Sequence, residues 1–146
     1  MPRKLFSVLL ILVVFGLDRA SKAWVLENLP EGATIPVTSF FHLTRVNNSG
    51  AAFGFLKNSG PFLIVISLIC VLALSVALWN KRANLAFPLI VAGALGNLVD
   101  RLHYGAVIDF LDFRVWPVFN FADTSITLGV FLAGIEMFRR AKQKEK

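Results

Sequence analysis

The chain has 146 residues, of which 56% are hydrophobic and 16% charged, and its formal net charge is +6. That is enough for one compact unit, and it is more apolar and less charged than a soluble domain, which averages roughly 45–50% apolar and about 25% charged. Its basic residues sit in short clusters beside apolar runs, which argues against a nucleic-acid surface and for the edges of a membrane protein, and a lone cysteine, Cys70, excludes an internal disulfide.

Four apolar segments are predicted to span a bilayer, at about 5–26, 61–79, 85–101 and 121–138. The first follows Arg3 and Lys4 and imitates a signal peptide. The residues after its apolar run are Asp18, Arg19 and Lys22 rather than a neutral small-residue cleavage site, so it reads as a retained helix. The second carries no charge, and Cys70 within it reads as a small hydrophobe, because a reactive thiolate needs an electropositive, accessible setting. In the third, Pro88 falls in the first turn, where its missing N–H is harmless. The fourth runs into a basic tail, Arg139 to Lys146, expected to face lipid headgroups, with Glu136 paired to Arg139 or Arg140.

Placement of Lys and Arg sets the expected orientation. Arg3, Lys4, Lys81, Arg82 and the tail fall on one side, whereas Glu27, Glu31, Asp109 and Asp112 fall on the other. Both termini are therefore expected in the cytoplasm, in one domain over 1–146. The outer segments are 27–60 and 102–120. Thr38 to Phe55, rich in aromatic and β-branched residues, reads as a small strand element. The second outer segment is expected to form a short loop or helix, with Trp116 as an interfacial anchor.

Ionisable residues in a span are functional candidates. Asp18 and Lys22 stand at i, i+4. Spacing alone leaves two readings open, a polar site near the outer end or a neutralised pair that eases insertion. Asn97, Asp100 and Arg101 share one helix face, and Ala92 with Gly96 allows close helix approach. Arg101 beside Asp100 favours a scaffolding role for that aspartate.

Asp109, in Val107-Ile108-Asp109-Phe110, and Asp123, in Asn120-Phe121-Ala122-Asp123, have apolar flanks instead. Two carboxylates in a poorly solvated site share a proton, so one activates water while the other polarises a carbonyl. Nothing in the spacing requires the two to meet. Asp112, an odd interval from Asp109, faces the other way in an extended segment and reads as solvated. His42 and His103 offer no zinc spacing, and no G-x-S-x-G or P-loop is present.

These motifs, in this order, carry a resemblance. Asp18-x-x-Ser21-Lys22, Asn48-Ser49-Gly50-Ala51-Ala52-Phe53-Gly54, Gly96-Asn97-Leu98-Val99-Asp100-Arg101, Val107-Ile108-Asp109-Phe110 and Asn120-Phe121-Ala122-Asp123 span most of the chain. The chain resembles bacterial lipoprotein signal peptidase, or signal peptidase II. That resemblance implies an inner-membrane aspartic endopeptidase that cuts before the diacylglyceryl-modified cysteine of prolipoproteins. It implies Asp109 and Asp123 as the catalytic pair. Asn48, Gly50, Asn97, Arg101 and Asn120 would line the substrate pocket, supported by Asp18, Lys22 and Asp100. No metal or organic cofactor is implied. The expected partners are lipid-modified prolipoproteins and membrane lipids, with no nucleic acid and a monomeric enzyme. Phe53, Phe55 and Trp116 would cover the site. A small proton-coupled transporter is the alternative, and it predicts carboxylates near mid-membrane with short loops.

Overall fold

The computed structural model of the chain describes residues 3–50, 60–79 and 85–144. Four helices and three strands follow in the order α1 (Arg3–Asn28), β1 (Thr34–Pro36), β2 (His42–Asn48), α2 (Gly60–Trp79), α3 (Ala86–Tyr104), β3 (Val107–Asp112) and α4 (Phe121–Lys144). The four apolar segments all form helices. α1, α3 and α4 run past their expected ends, α4 well into the basic tail. Glu136 pairs there with Arg140, one of its two expected partners. Among the described residues, one helix (Phe121–Gln143) is by length and composition apolar enough to cross a membrane, and Gly60–Val76 is a shorter apolar stretch.

α1 and α3 owe their polarity to charges gathered at one end, and those charges face each other rather than outward. Lys22, Asp18 and Asp100 are fully buried. Large apolar side chains cover the outside, including Leu12, Val13 and Leu17 on α1, Ile69, Leu72 and Val76 on α2, and Val130 and Phe131 on α4. Exposed apolar surface on this scale marks contact with lipid or a partner.

α3 packs against α1, α2 and α4. Small residues permit this. A Cβ at Gly93 would collide with the Ala122 carbonyl of α4, and one at Gly96 with the Asp18 carboxylate of α1. Gly93 joins the small residues expected there, and Gly96 admits a charged group as well as the Ala122 methyl of α4.

The strands form one antiparallel sheet in the order β1-β2-β3. β2 falls inside the expected strand element. β3 departs from expectation, because the second outer segment forms a nearly fully buried strand rather than a loop or short helix. Its alternation explains the burial. Ile108 and Phe110 pack with Val25 and Leu29 of α1, while Val107 of the other pleat lines the site described below. Phe53 and Phe55 lie outside the described residues.

Candidate active site

The C-terminal ends of α1 and α3, the N-terminus of α4 and the face of β3 converge at one end of the bundle. Lys22 Nζ lies 2.7 Å from Asp100 Oδ2 and 3.0 Å from Asp18 Oδ2, and it donates to Asn97 Oδ1 at 3.1 Å. An ammonium donates and has no acceptor, so all three oxygens suit it, Asn97 as a hydrogen-bond acceptor and the two carboxylates as ion-pair partners. Arg19 adds a second cation, 2.6 Å from Asp100 Oδ1. Two buried anions therefore face two cations, which limits the desolvation penalty. The expected Asp18–Lys22 pair is present. Asp100 departs from expectation, since its cationic partners are Arg19 and Lys22 and the Ile108 amide donates to its Oδ2 at 3.2 Å, while the neighbouring Arg101 points away and donates to the Gly50 carbonyl at 3.3 Å. Consecutive helix positions project about 100° apart, which separates the two side chains. Arg19 carried no signal of its own, because its value comes from α3, distant in sequence.

The second anion also shapes α4. Asp18 Oδ1 accepts from the Ala122 amide at 3.0 Å, and Asn120 Oδ1 accepts from the Asp123 amide at 2.8 Å. Asn120 is thus the N-cap of α4, and Asp18 adds negative charge where the helix dipole is positive. The cap fixes where the Asp123 side chain emerges.

Because Lys22 only donates, Asn97 must turn its Oδ1 toward it. Its Nδ2 then donates to Asp123 Oδ1 at 2.7 Å. By the same logic the Asn120 cap turns its own Nδ2 outward, to Asp109 Oδ1 at 2.7 Å. Asn48 Nδ2 donates to Asp109 Oδ2 at 2.9 Å, and Asn48 Oδ1 accepts from the Gly50 amide at 3.0 Å. The two amides touch, with Asn120 Nδ2 3.3 Å from Asn97 Oδ1. Asp109 and Asp123, on separate elements, are thereby tied through two side-chain amides. Burial pushes the Asp109 carboxyl up to about 7, with the charge of Asp123 adding to the rise against hydrogen bonds from Asn48 and Asn120.

A cavity of about 1160 Å³ opens beside this pair. Asn48, Gly50, Asn97, Arg101 and Asp123 line its polar side. Phe113, Trp116, Val118, Phe119 and Ile126 line the apolar side. Asp109, 2% exposed, sits behind Asn48 and Asn120. All ten residues singled out from the sequence meet at this end of the molecule. Asp112 overturns one reading, since it is buried rather than solvated. Thr44 Oγ1 donates to it at 2.7 Å and the Arg114 amide at 2.8 Å. The Arg114 contacts are local, two residues on, but Thr44 lies 68 positions away, so only tertiary structure completes the enclosure.

The family model described as signal peptidase (SPase) II matches residues 10–139. The chain belongs to the signal peptidase II family. It is a peptidase. The lipoprotein signal peptidase of Halothermothrix orenii is 40% identical over 139 residues, covering 92% of this chain and 96% of the relative. That of Clostridioides difficile is 41% identical over 145 residues, covering 94% and 98%. A solved bacterial membrane enzyme superposes with a TM-score of 0.90 at 32% identity, covering 95% of this chain and 91% of the other. A second superposes at 0.82 and 34% identity, covering 90% and 92%. This signal peptidase is a membrane enzyme, mostly helical with a small three-stranded sheet.

Proposed function

We propose that this signal peptidase II is an aspartic endopeptidase in which Asp109 and Asp123 hydrolyse the bond before the diacylglyceryl-modified cysteine of prolipoproteins. The observation that carries the reading is the amide bridge that ties the buried Asp109 carboxylate to the half-buried Asp123 beside one cavity. The transporter alternative has no such support, because the carboxylates gather at one end of the bundle.

The geometry assigns different tasks to the two acids. Asp109, titrating near 7, keeps its proton on about half of the molecules at neutral pH, and that protonated form is the acid. Asp123, which accepts from Asn97, is the ionised partner. Asp123 removes a proton from water as the oxygen attacks the scissile carbonyl carbon. Asp109 gives its proton to the carbonyl oxygen, so a neutral tetrahedral diol forms. Asp123 then passes its proton to the departing amine, and Asp109 recovers one from a diol hydroxyl as the C–N bond breaks. Asn48, Gly50, Asn97, Arg101 and Asn120 contact the substrate backbone or align the acids. Asp18, Lys22 and Asp100 hold the helix ends that carry them. No metal or organic cofactor enters the chemistry.

The enzyme acts as a monomer, one domain over 1–146 with four spans in the bacterial inner membrane. Both termini are cytoplasmic and the sheet end is extracytoplasmic. The substrate's acyl chains then stay in lipid while its scissile peptide reaches the boundary, where water is available. Incubating the reconstituted enzyme with lipid-modified and unmodified forms of one prolipoprotein tests the reading on a gel. Only the modified form is expected to shift, and equal cleavage of both would overturn the lipid requirement.

A further inference from the structure

Asp112 takes no part in the proposed chemistry, yet its carboxylate is buried and engaged on both oxygens. Thr44 Oγ1 donates to Oδ2 at 2.7 Å, the Arg114 amide to Oδ1 at 2.8 Å, and the Arg114 guanidinium to Oδ2 at 3.2 Å. Thr44 Oγ1 in turn lies 3.1 Å from Thr34 Oγ1, so the hold extends across all three strands. Burial raises the Asp112 carboxyl, but these hydrogen bonds outweigh it and leave the group titrating below its ordinary range. It is ionised, and the clamp closed, at neutral pH.

The clamp holds an unfavourable conformation. Arg114 has φ of 66°, and among the described residues it is the only non-glycine in the left-handed region. A residue with a Cβ stays there when its surroundings impose it. The Asp112 carboxylate supplies that constraint by gripping both the amide and the side chain of Arg114.

The turn directs everything that follows it. Past Arg114 the chain doubles back, and Leu111 and Phe119 exchange backbone hydrogen bonds of 2.8 and 3.1 Å. Phe113 stacks on Phe119 with centroids 5.9 Å apart and tilts against Phe41 at 4.9 Å. Phe113, Trp116, Val118 and Phe119 thereby form the apolar wall opposite Arg101 and Asp123.

We propose that Asp112 is a positioning residue for substrate: by locking the left-handed turn at Arg114, it holds segment 113–119 as the wall against which the bound signal peptide lies. This rests on the reading of the cavity as the substrate site. Asp112 makes no hydrogen bond to Asp109, Asp123 or their amide partners among the described residues. Its loss therefore weakens binding and leaves the chemical step alone.

The test uses the purified full chain, folded by size exclusion and thermal unfolding, with two readouts. Trypsin cleavage after Arg114 reports the turn without reference to catalysis. Steady-state cleavage of a lipid-modified prolipoprotein separates KM from kcat. Asp112→Ala is expected to speed the tryptic cut and to raise KM about tenfold with kcat within about twofold. Thr44→Val, which removes one of the three bonds, should shift both readouts in the same direction by less. Adding Arg114→Gly to Asp112→Ala should return KM toward wild type, because glycine occupies the left-handed region without a clamp. Unchanged trypsin sensitivity and KM in Asp112→Ala would overturn the proposal. So would a loss confined to kcat, or a glycine that restores nothing. Full activity in Asp109→Asn would instead overturn the catalytic reading, while the tryptic readout would still report the clamp.

Discussion

Asn120 donates from Nδ2 to Asp109 Oδ1 across 2.7 Å. The same side chain accepts the Asp123 amide at 2.8 Å as the N-cap of α4. One residue therefore sets a helix start and aligns an acid on a different element. The two roles separate by substitution. Asn120→Ser keeps a capping oxygen but is too short to reach Asp109. It is expected to unfold within a few degrees of wild type and to lose roughly 10- to 100-fold in kcat. Asn120→Ala loses about 1 kcal/mol of stability as well. Thermal unfolding and kcat on the same preparations check this, and a Ser variant with full kcat would sever the link between cap and acid.

The position of Asp109 predicts two pH effects. As an acid it works while protonated, so kcat/KM should fall about tenfold per pH unit above roughly 7. Stability follows the same proton. Between its ordinary value of 3.8 and about 7, the folded enzyme keeps a proton that the unfolded chain has released. Protonation thus favours the fold in that window, and the benefit is lost as pH rises through about 7, by on the order of a few kcal/mol. Unfolding of wild type and Asp109→Ala between pH 4 and 8 measures this. The difference between them should change across the window, and a constant difference would contradict the assignment.

Lys22 balances Asp18 and Asp100 and orients Asn97. Lys22→Met leaves those anions to Arg19 alone and should cost about 3–5 kcal/mol. Asp18→Asn with Lys22→Met removes one charge of each sign and should recover part of that stability. Activity should stay low, because Asn97 is then free to turn its oxygen toward Asp123. Recovery of both together would mean that Lys22 serves folding alone.

Gly96 faces the Asp18 carboxylate, which caps α4 at Ala122. Gly96→Ala pushes that carboxylate away and should destabilise by about 1–3 kcal/mol, with a matching loss of Tm. Gly105, with open space around it but φ of 71°, should also resist alanine, for backbone reasons rather than packing.

The helices were legible because apolar runs of bilayer length leave few other structures, and the Asp18–Lys22 pair because a helix places i and i+4 together. The ordered motifs identified the family. What stayed hidden depends on chain reversal and distant partners. Asp100 adjoins Arg101 in sequence, yet the helix turns Arg101 to Gly50 and leaves Asp100 to Arg19 and Lys22. Asp112 looked solvated because Thr44 reaches it only once β2 and β3 have paired. The strand at Val107–Asp112 is hard to read locally because each of its faces carries an aspartate among apolar residues. Asp109 is buried there by Asn48 and Asn120, which no local pattern announces.

The central claim is that Asp109 and Asp123 are the acid and base. Single-turnover cleavage of a lipid-modified prolipoprotein by wild type, Asp109→Asn and Asp123→Asn tests it most directly. Each variant should remain folded and lose at least roughly 10²- to 10⁴-fold in rate. A folded variant of either aspartate that cleaves at the wild-type rate would contradict the account.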